Sequence, residues 1–176
     1  MLVQSGVFDD ARVRREVETL ADDGHRITVV GARQSGLRAP LPAEVIFVSE
    51  GGAGSRRLDR GWRRVARWLL LPEYRLHRQR QFRRDTIRQA RLIDFDVVHC
   101  HDYPTLAAGL ALADGRPVIY DSHECWYGRL RHGRPEPGRR LRQLRSERRM
   151  VARCEAVITV SASALGGTSF GRSSTT

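Results

Sequence analysis

The chain has 176 residues, 40% of them apolar and 29% charged. That is the size and composition of one globular domain able to bury a core without disulfides or a structural metal, and it excludes a disordered or fibrous chain. No apolar run approaches the ~18 residues of a membrane span, and no basic stretch leading into an apolar one marks a signal peptide. The formal charge is +11, carried by 31 basic residues that are all arginine. Lysine and asparagine are both absent, a codon-level habit that makes the high pI a weak argument for nucleic acid.

The elements follow in chain order. Met1-Leu2-Val3 reads as the end of a strand whose usual lead-in is missing. Asp9 or Asp10 caps a helix with Val13, Val17, Leu20 and Ala21 inward and Gly24 as its stop. Ile27 to Val30 and Val45 to Val48 are short buried strands, and Gly51, Gly52 and Gly54 mark a loop. Residues 56 to 94 read as two helices broken at Pro72. Asp96 to Cys100 is a strand. Pro104 opens a helix with Leu106, Ala107 and Leu110 inward, which Gly115 ends. Val118 to Tyr120 is the next strand. A helix from Pro137 to Arg153 places Leu141, Leu144 and Val151 on one side, and Ala156 to Val160 is the last strand. Short β-rich runs joined by helices predict an α/β fold, a doubly wound Rossmann-like parallel sheet with helices on both faces. It spans residues 1–165, followed by a frayed Gly/Ser/Thr tail at 166–176.

The charge is unevenly placed. Residues 56–91 carry a balance of +10 and residues 129–153 one of +8, which leaves −7 for the rest. Codon habit would raise arginine everywhere, so this partition needs a physical reason. Leu58, Trp62, Val65 and Leu69 fall at helical spacing among Arg57, Arg60, Arg63, Arg64 and Arg67. The helix can pack that stripe on the sheet, or lie through residues 56–71 in an anionic membrane surface. Cys100, Cys125 and Cys154 are odd in number and widely spaced, so they are expected to be reduced thiols with no disulfide framework and no paired zinc motif.

In a doubly wound sheet, ligands bind beyond the carboxyl ends of the strands. The polar residues gather there: Asp10 and Arg12 after the first strand, His101 and Asp102 after the fourth, Asp121, Ser122, His123 and Glu124 after the fifth, and Ser161 after the sixth. His123, amid four consecutive polar residues, is the strongest functional candidate. His99 reads as an interior histidine of the strand, and Asp10 also as a helix cap. Cys125 and Trp126 read as anchors of their loop. No G-x-G-x-x-G follows the first strand, which disfavours a dinucleotide-binding dehydrogenase. His99 and His101 share one strand face and invite a metal reading, but no second histidine-rich cluster is visible in the sequence.

Four segments together resemble the family 4 glycosyltransferases of the GT-B fold. They are Asp10-Ala11-Arg12-Val13 leading into Leu20 to Val29, Phe95 to Asp102, Val118 to Glu124, and Ala156 to Ser161. The resemblance covers residues 1 to about 165 and fits the N-terminal, acceptor-side domain. It implies transfer of a sugar from a nucleoside-diphosphate donor to an acceptor hydroxyl, with retention of configuration. It implies no cofactor and no metal, because basic side chains and helix N-termini of a second domain stabilise the leaving diphosphate. His123 matches the family histidine that reaches the transferring sugar. His101 and Asp102 would line the acceptor side, with Asp10 and Arg12 at the first loop. The family's nucleotide-sugar-binding C-terminal domain is expected to be absent. Glu147 and Glu155 repeat the eight-residue spacing of its glutamate pair, by coincidence. A cytoplasmic protein, acting there or at the inner face of the membrane on a glycan, lipid or small-molecule acceptor, is the expectation. The alternatives are a basic domain binding nucleic acid or a membrane surface, although no specific nucleic-acid docking motif is present, and a metal-dependent hydrolase built on His99 and His101.

Overall fold

A computed structural model describes residues 1–8, 10–32, 40–48, 71–123 and 137–159. Its elements are β1 (Leu2–Gly6), α1 (Ala11–Asp22), β2 (Thr28–Ala32), β3 (Glu44–Val48), α2 (Leu71–Ala90), β4 (Val98–His101), α3 (Tyr103–Leu112), β5 (Val118–Ser122), α4 (Pro137–Val151) and β6 (Ala156–Thr159). The six strands form one parallel sheet in the order β3-β2-β1-β4-β5-β6. The doubly wound α/β expectation is met. The chain winds outward from β1 to β3, then returns to lay β4 on the other side of β1, which places the topological switch between β1 and β4.

The sheet has a core on each face. Leu2, Val30, Cys100 and Tyr120 join Phe82, Leu106, Leu112 and Val151 from α2, α3 and α4. On the other face Val3 and Val29 pack against Val13 and Val17 of α1. Asp10 caps α1, its carboxylate accepting the Arg12 N–H at 3.1 Å. Gly24, at φ 84°, closes the helix, with the Gly24 and His25 amides donating to Ala21 and Leu20 carbonyls.

Several boundaries and faces differ from the sequence expectation. β4 and β5 each run further, so His101 and Ser122 are terminal strand residues rather than loop residues. On α3 the buried residues are Thr105, Leu106, Ala108, Gly109 and Leu112, while Ala107 and Leu110 are half-buried. That helix is apolar almost all round, so periodicity could not choose its face. On α4, Leu141 is exposed. The inward row is Leu144, Glu147 and Val151. Pro72 lies in the first turn of α2, where a proline costs no helical hydrogen bond. The basic helix expected before it, the membrane-surface reading of 56–71 apart from its last residue, Cys125, Trp126 and the tail all lie outside the described residues. Cys100 and Cys154 are free thiols.

Glu147 is buried and accepts a hydrogen bond from the Tyr120 hydroxyl at 2.6 Å. Burial raises the Glu147 carboxyl above its ordinary value, although the bond from Tyr120 opposes the shift. A carboxyl raised in the fold contributes its full stability below its unfolded value, about 4.3, and loses it as pH rises through the folded value. Glu147→Gln keeps the acceptor and removes the charge. Its Tm is expected to exceed that of the parent at pH 8, with the gap closing toward pH 4. A pH-independent gap in thermal scans would contradict this.

Candidate functional site

The carboxyl ends of β4 and β5 lie beside the N-terminal half of α1. In the β4–β5 ladder His101 pairs with Asp121 and His99 with Ile119. His99, His101 and Asp121 therefore share the sheet face that α1 covers. Glu16 sits on the inward stripe of α1, between Val13 and Val17, and points its carboxylate at the histidines. Its Oε2 is 3.3 Å from His101 Nε2 and 3.8 Å from His99 Nε2. Across the His101 ring, Nδ1 lies 3.6 Å from Asp121 Oδ2 and 3.4 Å from His123 Nε2. His123 Nε2 is 2.8 Å from Asp121 Oδ2. The three imidazoles stack in a row, with centroids 4.6 and 5.7 Å apart.

The cluster is nearly dry. The side chains of Asp121, His101 and His123 are 1%, 3% and 7% exposed. Burial pushes the Glu16 carboxyl up to about 8, helped by its contact with Asp121 and that group's charge. Burial also raises Asp121. The same desolvation lowers His99 to about 4 and moves His101 further down, so both rings are neutral near pH 7. Among the described residues, Glu16 Oε2, His101 Nε2, both Asp121 oxygens and His123 Nδ1 have no hydrogen-bond partner. Buried polar atoms left in that state cost about 1–3 kcal/mol each, which is tolerated where a ligand completes them.

Asp102 lies beside this cluster at φ 64°, a left-handed conformation that costs a non-glycine residue about 1–3 kcal/mol. Four bonds hold it there, one of them from the Thr105 N–H to its carbonyl at 3.2 Å. Its N–H donates to the Asp121 carbonyl at 2.8 Å, its carbonyl accepts from Thr105 Oγ1 at 3.0 Å, and its Oδ1 accepts the His123 N–H at 3.2 Å. Asp102 precedes α3 but its side chain does not cap that helix; it ties the β4 end to the β5 end. Asp10 is paired with Arg12 at 3.2 Å. Burial works to raise the Asp10 carboxyl, but the bonds and charge of Arg12 hold it below its ordinary value.

The family model for Glycosyltransferase Family 4 matches residues 11–165, most of the chain. The chain belongs to this family. No curated protein matches it. As a family 4 glycosyltransferase domain it has the sheet expected, and sugar transfer is the general activity its membership carries. No described helix is long and apolar enough to cross a membrane.

The structure brings His101, Asp102 and His123 together, with Asp10 and Arg12 near enough that their charges act on the cluster. Ser122 does not join them. It is buried, one residue out of phase with Asp121 and within hydrogen-bonding reach of Tyr120 on the other face. Glu124 and Ser161 lie outside the described residues. Sequence reasoning missed Glu16, and it named Asp121 only within the polar run that leads to His123, without a role at the site. A carboxylate on the inward stripe of α1 was the signal for one, and a charged residue continuing a buried strand was the signal for the other. His99 is not a satisfied interior histidine, since its Nε2 has no hydrogen-bond partner among the described residues. Glu16, His101, Asp121 and His123 are the described residues able to hold a metal, with one donor atom from each within 4.8 Å of the rest.

Proposed function

We propose that this domain is the acceptor-side half of a retaining glycosyltransferase that passes a sugar from a nucleoside-diphosphate donor to an acceptor hydroxyl. The observation that carries the reading is the position of His123. It follows β5 at the carboxyl edge of the sheet, tied to Asp102 at the end of the neighbouring β4, in a chain whose family transfers sugars. His123 reaches the transferring sugar, while His101 and Asp102 line the acceptor side. Arg12, held by Asp10 at the start of α1, faces the anionic part of the donor, where the helix N-terminus adds its own positive field. The transfer itself needs no metal, because the leaving diphosphate is neutralised by basic groups and helix N-termini of a second Rossmann-like domain. The protein works in the cytoplasm, at the inner membrane face where the acceptor is lipid-linked.

The test is transfer by the full-length gene product from a panel of uridine, guanosine and adenosine diphosphate sugars. Acceptor-dependent release of the nucleoside diphosphate is expected, with the product anomer matching the donor by NMR. An inverted product would overturn retention. Folded protein that releases diphosphate from no donor would overturn the transferase reading.

A further inference from the structure

The proposed transfer does not account for Glu16 or Asp121. Two carboxylates and two imidazoles converge from three elements, α1, β4 and β5, and five of their buried polar atoms lack a hydrogen-bond partner among the described residues. Among the described residues, no ion pair joins an arginine to Glu16 or Asp121, and the Arg12 guanidinium is engaged by Asp10. A bound cation among these donors would satisfy the atoms that the fold leaves without partners.

The spacing suits a small cation. A tetrahedral ion with bonds of about 2.0–2.2 Å sets its donor atoms about 3.3–3.6 Å apart. From His101 Nδ1 the separations of 3.4 and 3.6 Å to His123 Nε2 and Asp121 Oδ2 fall in that range, the 2.8 Å between His123 and Asp121 needs to open, and all four residues offer one donor atom each within 4.8 Å of the rest. His101 Nδ1 already has two donors at the right separation, and the Glu16 carboxylate, now 3.3 Å from the ring's other nitrogen, has to swing toward Nδ1 to close the shell. Mixed nitrogen and oxygen donors select zinc-class cations over magnesium or calcium, which take oxygen ligands.

We propose that Glu16, His101, Asp121 and His123 form a binding site for one zinc-class divalent cation, tying α1 to the ends of β4 and β5. Its consequence for transfer rests on the reading above: a cation on His123 withdraws that ring from the sugar, so occupancy inhibits transfer instead of driving it.

Tag-free, chelator-stripped chain titrated with cobalt(II) is the test. One equivalent is expected to give the intense visible bands of tetrahedral cobalt, which zinc(II) then displaces. Glu16→Gln, on the partly exposed side of the cluster, and Asp121→Asn are each expected to weaken zinc binding at least tenfold by calorimetry, with circular dichroism confirming the fold. Glu147→Gln, on the opposite sheet face, should bind as the parent does. No binding at 1 mM zinc, or binding that Glu16→Gln and Asp121→Asn both leave unchanged, would overturn the site. Binding is read without any transfer assay, so its failure leaves the transferase reading standing, and failure of transfer leaves the cation site standing.

Discussion

Gly109→Ala is expected to lower the stability of the domain by about 2 kcal/mol, the net of an overpacking cost of about 3 and a helix-propensity gain of about 1. Gly109 is where α3 comes closest to β4. A Cβ there would overlap Cys100 Sγ and stand 3.2 Å from Val98 Cγ1 and 3.6 Å from Leu2 Cδ1. Cys100 is fully buried in the middle of the sheet and cannot move aside. Helix and strand must therefore separate, which loosens Leu106, Ala108 and Leu112 as well. For a domain of this size the change corresponds to a Tm lower by about 4–8 °C. Adding Cys100→Ala tests the cause. If the overlap is the origin, the alanine at 109 costs much less in the Cys100→Ala background than in the parent. Equal costs in the two backgrounds would place the origin elsewhere.

The strands of this fold are legible in sequence because a parallel sheet covered on both faces needs short runs that are apolar throughout. Val118 to Tyr120 and Val97 to Cys100 stand out between polar turns for that reason. What sequence patterning misplaced is the polar end of each run. His101 and Ser122 were assigned to loops because a polar residue after an apolar run usually means that the chain has left the sheet. Here the sheet continues into the site, and the polarity belongs to the site. Glu16 was hidden for a related reason. Helical periodicity sorts residues into an apolar face and a wet face, and Glu16 lies on the first while having the chemistry of the second. Glu147 repeats the pattern on α4, where the buried row contains a carboxylate held by Tyr120. Its spacing to Glu155 carries no meaning, as Glu155 is exposed at the start of β6. The convergence of His99, His101 and His123 depends on the β4–β5 pairing, which no local pattern encodes.

His123→Ala is expected to reduce kcat for sugar transfer by about 100-fold or more, the range seen when a polar group at the reacting centre is removed. The geometry says why no neighbour replaces it. Its backbone N–H is held by Asp102 Oδ1, and its ring lies 2.8 Å from Asp121 Oδ2 and stacks on His101. His123 therefore arrives pre-positioned at the end of the row, while His101 lies between it and His99. Loss of the ring removes a fixed polar contact and its 2.8 Å approach to Asp121 Oδ2, so both transfer and local order suffer. The two are separable. A purely structural loss would lower Tm and leave kcat near the parent value once the protein is saturated with donor and kept cold. A loss in transition-state contact lowers kcat at saturation with the fold intact. Glu147→Gln, on the far face of the sheet, serves as the comparison, with kcat expected to match the parent. A His123→Ala enzyme that is folded and turns over at the parental rate would remove His123 from the reaction.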